Sequence, residues 1–521
     1  MRILIFHGYL LHGTGSNVYN ASLAAALASL GHEVHLLCQD RDPGSLPFVD
    51  AVGVWEGGAL RVSAGSSGPR CTVYRPDLGG LLPVYVADRY EGMEARTFPE
   101  LDDVELARYL DRNVAAVRDV VDRAPPDVAL ANHLIMGPAI LRRALDGSGV
   151  PYAVKVHGSA LEYTVKPHLH RFLPYAREGL DGTRTVLVGS RHTAESLWAT
   201  LEDPALPART RLGPPGVDVA AFAPRSPAEA ADGLAHLVRR LSRLARSTGS
   251  TGSAFARHPR AAAEALRSVQ VEGDRLVAFV GKLIVSKGVD LLLAAWPLVL
   301  ARVPEARLVV VGFGAYEDAC RKLVAVLAAG DLASARELAR AGRSLEGGPS
   351  GGLAYMQAFF DRLEADSVCR ASYVRAARDL EERVAFAGRL EHDELSDLLP
   401  ACEALVVPST FPEAFGMVAA EAAATGAWPV SAEHSGLAEV SRVLGAGVPE
   451  SARGWLSFPL GANAVSDLAA SVVGWLTAPE NVRRAGRTAL AATARERYSW
   501  EGVAERVIAA AQGRLDELPA P

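Results

Sequence analysis

The segment Arg275–Val289, RLVAFVGKLIVSKGV, decides the fold. After its leading arginine the first stretch is wholly apolar and stops at Gly281, which suits a short buried strand. A turn with two lysines follows, then a helical pattern. The same arrangement recurs outward in Arg307–Gly312 (RLVVVG), Val384–Gly388, Ala404–Pro408 (ALVVP) and Trp428–Ser431. Each run ends in Gly, Pro or Ser before a helical pattern, the signature of a doubly wound parallel sheet.

A like series opens the chain. Strand Arg2–Phe6 runs into the glycine turn His12–Gly15, helix Val18–Leu30 ends at Gly31, and a strand Glu33–Cys38 follows. Further strands fit Asp127–Asn132, Ala153–His157 and Thr185–Gly189. Two such series predict an α/β protein of two Rossmann-like domains, 1–215 and 275–497, with 216–274 as linker and insertion. Within the latter, RSTGSTGS (Arg246–Ser253) is a flexible loop by composition. A second insertion, Cys320–Glu382, reads as helical on both sides of EGGPSGG (Glu346–Gly352) and carries no chemical motif. The last helix, Glu501–Gln512, follows Tyr498-Ser499-Trp500, and the segment of about 498–515 is expected to pack back on the first domain.

At 521 residues the chain exceeds one ordinary domain, and 49% hydrophobic with 22% charged residues fits a globular protein with sizeable cores. A net charge of −6 gives no general attraction to nucleic acid. A total says nothing about distribution, so a local basic face for lipid head groups, and with it peripheral membrane association, stays open. Cys38, Cys71, Cys320, Cys369 and Cys402 are dispersed, with no zinc or disulfide spacing, and read as buried thiols in a reducing compartment. The N-terminus lacks a basic leader and a cleavage site. No window approaches the roughly 18 apolar residues of a membrane span. A cytoplasmic protein is expected, with the inner face of the membrane left open.

The chemistry concentrates in Phe411–Glu421, FPEAFGMVAAE, just beyond the ALVVPS strand. A helix is expected to begin near Phe415–Gly416. Its unpaired backbone N–H groups and positive dipole end then face the crevice outside the strand's carboxyl end. Gly416 lets a ligand approach the backbone. Glu413 lies before the helix, and Glu421 about a turn and a half into it. One carboxylate is placed to accept hydroxyls of a sugar near a phosphate, the other to grip a ribose diol. Alone, the pair reads as readily as two surface carboxylates favoured by the dipole. Lys282 and Lys287 lie at a strand end of the same series. There they can neutralise the roughly two negative charges of a departing diphosphate, although taken alone they read rather as ordinary surface lysines of a polar strand–helix loop.

With both segments in view, the chain resembles the family 4 glycosyltransferases, retaining enzymes of the GT-B fold. The landmarks stand in the family's order: the glycine turn Gly13–Gly15, KVHGS with His157, PPGVD (Pro214–Asp218) with Phe222 and Pro224, VGKLIVSKG, VVVGFG (Val309–Gly314), AGRLEHDEL (Ala387–Leu395), PSTFPEAFGMVAAEAAATG and HSGLAEV (His434–Val440). The resemblance covers nearly the whole chain apart from the insertions. It implies that Lys287 contacts the donor diphosphate, with Lys282 where the family usually has Arg. It implies that Glu413 holds the sugar hydroxyls, Glu421 the ribose, and the backbone of Ala414, Phe415, Gly416 and Met417 the phosphate. Arg389 and Leu390 fall where the family frames the base. Gly13 and Gly15 approach the diphosphate, although this sequence reads HGTG where adjacent glycines are usual. A lone histidine at a strand end is more often structural, yet His157 matches the family histidine facing the donor sugar. His133 is a weaker acceptor-side candidate, and HLHR (His168–Arg171) reads as a surface loop.

The resemblance implies transfer of a hexose from a UDP- or GDP-sugar to a hydroxyl acceptor, a sugar, lipid or small metabolite. A departing phosphate oxygen takes the acceptor's proton, so neither a protein nucleophile nor a metal cofactor is expected. The donor is expected on residues 275–490 and the acceptor on 1–215, across a closing cleft. The rivals are a nucleotide-sugar epimerase of the same fold and a non-catalytic sugar-nucleotide-binding protein. A nicotinamide oxidoreductase is disfavoured, because Val18 breaks the GxGxxG pattern.

Overall fold

The computed structural model describes residues 1–13, 15–64, 68, 70–85, 94–247, 257–271 and 273–521. The chain divides into two compact units, Met1–Gly216 with Tyr498–Pro521, and Val217–Arg497.

The first unit is built on a nine-stranded sheet. Its strands are β1 (Arg2–Phe6), β2 (Glu33–Leu37), β3 (Ala51–Glu56), β4 (Ala59–Ala64), β5 (Cys71–Arg75), β8 (Val128–Asn132), β9 (Tyr152–Val156), β10 (Thr185–Val188) and β11 (Thr210–Leu212), with β6 (Leu81–Val84) and β7 (Glu94–Thr97) forming a separate pair. The order is β11-β10-β9-β8-β1-β2-β5-β3-β4, parallel except for the edge hairpin β3–β4. Side chains alternate across the pleat, so Ile3 and Ile5 enter one core while Leu4 and Phe6 enter the other. Helices Gly15–Ser29 and Trp500–Gln512 cover the first of these faces, and the last helix lies under β8, β9 and β10. Both faces are covered, which is why these strands read as continuous apolar runs.

The second unit holds β12 (Arg275–Val280), β13 (Ala306–Val311), β14 (Val384–Gly388), β15 (Ala404–Val407), β16 (Trp428–Ala432) and β17 (Ser457–Phe458). They are all parallel, in the order β14-β13-β12-β15-β16-β17.

The segment 216–274, expected as linker and insertion, is instead part of this second unit. Its helices Pro227–Ser247 and Pro259–Arg267 pack on each other and on the sheet's β14 side. They are pinned by Arg240–Asp393 (2.7 Å), Arg225–Asp397 (2.8 Å) and Arg257–Glu394 (2.7 Å). Arg246 and Ser247 end the first helix, and the rest of RSTGSTGS lies outside the described residues. The second insertion folds as helices including Leu332–Ala341 and Ala354–Ala365 around EGGPSGG. Tyr373 Oη donates to Ala294 O at 2.8 Å, fastening it to helix Val289–Leu300. Four cysteines are buried thiols, whereas Cys369 is exposed on helix Ser367–Ala377, contrary to expectation. No helix among the described residues is long and apolar enough to cross a membrane.

Candidate active site

In the second unit the site grows from the loop that leaves β12. Gly281 N–H donates to Val311 O (3.0 Å) and Leu283 N–H to Phe313 O (2.8 Å), holding the loop against the exit of β13. A 3-10 turn, Val285–Lys287, ends at Gly288 with φ +67°. A Cβ on Gly288 would lie 1.9 Å from Pro408 O, so the exit of β15 excludes any side chain there. Thr410 N–H donates to Ser286 O at 2.9 Å, and the two strand-end loops run together. That contact brings Lys287 to Glu413. Lys287 Nζ pairs with Glu413 Oε1, and Ser409 Oγ donates to the same oxygen at 2.7 Å. The two side chains are 33% and 24% exposed, so the pair stands at a surface a ligand can reach. Lys282 is half-buried in the same loop.

The turn carrying Glu413 is supported from behind by HSGLAEV, to which sequence reasoning gave no role. Glu413 N–H donates to Ser435 Oγ (2.9 Å), and Gly436 N–H donates to Glu413 O (2.9 Å). Ser409 O can only accept, so His434 Nε2, 2.7 Å away, carries the proton. His434 Nδ1 then accepts from Ser435 Oγ at 3.1 Å. Ser435 holds φ +50°, a backbone conformation costing on the order of 1 kcal/mol that the surrounding contacts sustain.

Helix Met417–Thr425 opens at Gly416, which supplies no side-chain cap. Ala414, Phe415 and Met417 beside it are half-buried. A Cβ on Gly416 would lie 2.8 Å from Leu437 Cδ2, so a side chain there would require Leu437 of the next helix to shift. Glu421, on the second turn, is 2% exposed. His392 Nε2 lies 2.8 Å from its Oε1, and the Phe222 ring packs 4.9 Å from the imidazole. Burial opposes the charged form of His392, but the hydrogen bond and charge of Glu421, aided by Asp218 and Asp393, outweigh it and raise its pKa. Nothing local in AGRLEHDEL marks the partner of His392, so the sequence alone gives this histidine no role. Arg389 Nη2 pairs with Glu391 Oε1 at 3.0 Å, its guanidinium lies 5.8 Å from the Phe313 ring, and Leu390 is buried. Lys282, Lys287, Arg389, Leu390, Glu413 and Glu421 follow the carboxyl ends of β12, β14 and β15, where open α/β sheets bind ligands.

In the first unit, His7, His133 and His157 follow β1, β8 and β9, which are neighbours in the sheet. The His133 ring centroid lies 5.6 Å from that of His7 and 4.9 Å from that of His157. His157 Nε2 is 2.8 Å from Asn132 Oδ1, and His7 is held between Asn17 and Asn20 at 3.0 Å each. Neither ring nitrogen of buried His133 has a hydrogen-bond partner among the described residues. Burial lowers the pKa of His7 to about 4 and holds His133 and His157 well below their ordinary range. His157 is therefore neutral, suited to a polar contact and not to a charged acid. Gly13 has φ +91° and Gly15 opens helix Gly15–Ser29, while Thr14 lies outside the described residues. HLHR is not a loop: it begins helix Leu169–Leu180, and Arg171 donates to Pro99 O at 3.0 Å as an anchor. No cluster of three or more His, Cys, Asp or Glu side chains among the described residues is arranged to hold a metal ion.

Comparison with known proteins accords with this architecture. Residues 14–209 match the glycosyl transferase 4-like domain, and residues 369–485 match glycosyl transferases group 1. No curated protein matches. Among solved structures, sucrose-phosphate synthase from Thermosynechococcus elongatus is similar at TM-score 0.56 and 18% identity, over 99% of this chain and 98% of that one. HepE of Anabaena in complex with UDP-glucose is similar at TM-score 0.55 and 15% identity, over 99% of this chain and 100% of that one. The α,α-trehalose 6-phosphate synthase of Burkholderia multivorans is similar at TM-score 0.54 and 14% identity, over 99% of this chain and 97% of that one. At such identities the likeness is one of fold, the GT-B fold. The two domain matches on that fold define a glycosyltransferase. The chain belongs to the family 4 type of these enzymes.

Proposed function

We propose that this glycosyltransferase moves a hexose from a nucleoside diphosphate sugar, UDP- or GDP-linked, to an acceptor hydroxyl, with retention at the anomeric carbon and without a metal ion. The observation that carries this reading is the Lys287–Glu413 pair beside the opening of helix Met417–Thr425. An ammonium and uncapped helix amides together attract a diphosphate, and an adjacent carboxylate accepts sugar hydroxyls. HepE, of the same fold, is described in complex with UDP-glucose, which favours the uridine donor.

In this reading the diphosphate meets Lys287, Lys282 and the backbone of Ala414–Met417. Glu413 holds the sugar, Glu421 the ribose, and Arg389 with Leu390 the base. In the first unit, neutral His157 is suited to a polar contact with a sugar that gains oxocarbenium character, and Gly13 with Gly15 leaves the backbone open to a phosphate. The acceptor oxygen attacks the face the diphosphate leaves, and a departing phosphate oxygen takes its proton. Lysines and helix amides stabilise the leaving charge, the task a divalent ion performs elsewhere.

The test is nucleoside diphosphate release from UDP- and GDP-sugars with and without candidate acceptors, and with chelator. Acceptor-dependent release that survives chelator, with the product's anomeric configuration matching the donor's by NMR, is expected. Release that never depends on an acceptor, or an inverted product, refutes the reading.

A further inference from the structure

The EGGPSGG motif is the part of the second insertion that the donor site leaves unused. It closes a tight turn in which Gly342 bridges Gly351, and Arg343 N–H donates to Gly351 O at 3.0 Å. Gly342 has φ +50°, and a Cβ there would lie 2.0 Å from Gly351 O. Such a turn requires glycine. It presents one acidic side chain, Glu346, which is 12% exposed.

Glu346 Oε2 accepts the Val285 N–H at 2.7 Å, across 61 positions of sequence. Val285 is the first residue of the 3-10 turn whose last residue is Lys287, and Ile284 before it provides no side-chain cap. The amide left over at the start of a helical turn normally needs such an acceptor. Here the insertion supplies it. The next acidic group, Asp290, is buried in the following helix, and burial, with a further contribution from the Glu346 charge, raises its pKa to about 7.

We infer that Glu346 is a positioning residue for Lys287: by capping the Val285–Lys287 turn, the second insertion holds the donor-site lysine against Glu413. This inference rests on the reading in which Lys287 meets the donor diphosphate. It makes the insertion part of the phosphate grip. Without the cap, the buried Val285 amide loses its partner and the turn relaxes. The loss then falls on the phosphate that Lys287 meets, not on the nucleoside.

The experiment is calorimetric titration of the full chain with UDP and with UMP, for the wild type, Glu346→Ala, Glu346→Asp and Glu346→Gln. Glu346→Ala is expected to weaken UDP binding about tenfold, the size of one lost charge-assisted hydrogen bond. UMP binding should change less than about twofold. Glu346→Asp, too short to reach Val285, should follow the alanine variant, whereas Glu346→Gln keeps an accepting oxygen and should restore UDP binding. In a Lys287→Ala background, Glu346→Ala should add little. UDP affinity unchanged in Glu346→Ala overturns the inference, and so does an equal loss of UDP and UMP. Should Glu346→Ala fail to fold, a Glu346→Gln variant that loses UDP binding overturns it in the same way. A wild type that binds UMP but gains nothing from the second phosphate counts instead against the donor-site reading itself.

Discussion

Lowering the pH should destabilise the first unit through His7, His133 and His157. Burial, the largest influence on each, depresses His7 to about 4 and holds the other two well below their ordinary value. In the unfolded chain all three return to about 6.5. The unfolded state therefore binds the protons first. Stability is complete above about 6.5 and drains away as the pH falls toward the native values. At pH 5 His7, with a native value of about 4, costs about 2 kcal/mol, a sizeable share of the roughly 5–15 kcal/mol by which folded proteins are stable. His133 and His157 act in the same direction. His392 in the second unit has the opposite sign: its raised pKa contributes stability below about 6.5 that is lost as the pH rises through the folded value. Hydrogen exchange by mass spectrometry between pH 7.5 and 5 reads both effects, using peptides from β1, β8 and β9 against peptides from β12 and β15, corrected for intrinsic rates. The decisive comparison is His133→Phe, which keeps a ring beside His7 and His157 but cannot titrate. The pH slope of opening free energy should fall by about 1.4 kcal/mol per pH unit, one proton's worth. An unchanged slope refutes the account.

Lys287→Ala should mainly slow transfer, by about a hundredfold as for other lost leaving-group stabilisers, read as kcat under saturating donor. Glu421→Ala should instead weaken nucleotide binding about tenfold, read as the dissociation constant for UDP. Gly288→Ala should lower thermal stability and donor affinity together, because its Cβ would meet Pro408 O at 1.9 Å. A differential scan and a UDP titration on the same variant check both.

The two-unit α/β architecture was legible because its signals are local. A strand such as RLVAFV is short, apolar on both faces and closed by glycine, and each of those traits is written within a few residues. Lys287, Glu413 and Glu421 were legible too, in two segments far apart in the chain. The place of 216–274 was not, since Arg240, Arg225 and Arg257 look like surface charges until Asp393, Asp397 and Glu394 are placed opposite them.

By itself, then, the sequence determined the strands, the glycine turns and which polar residues end up at strand ends, because backbone sterics and hydrophobic period act between near neighbours. Only the tertiary structure decided that Lys287 pairs with Glu413, that His434 and Ser435 hold the Glu413 turn, that His392 covers Glu421 and that Glu346 caps the lysine turn. Each of those pairs joins residues that are neighbours only once parallel strands lie side by side. The energy of such contacts depends on burial and distance, which the order of residues along a chain does not contain.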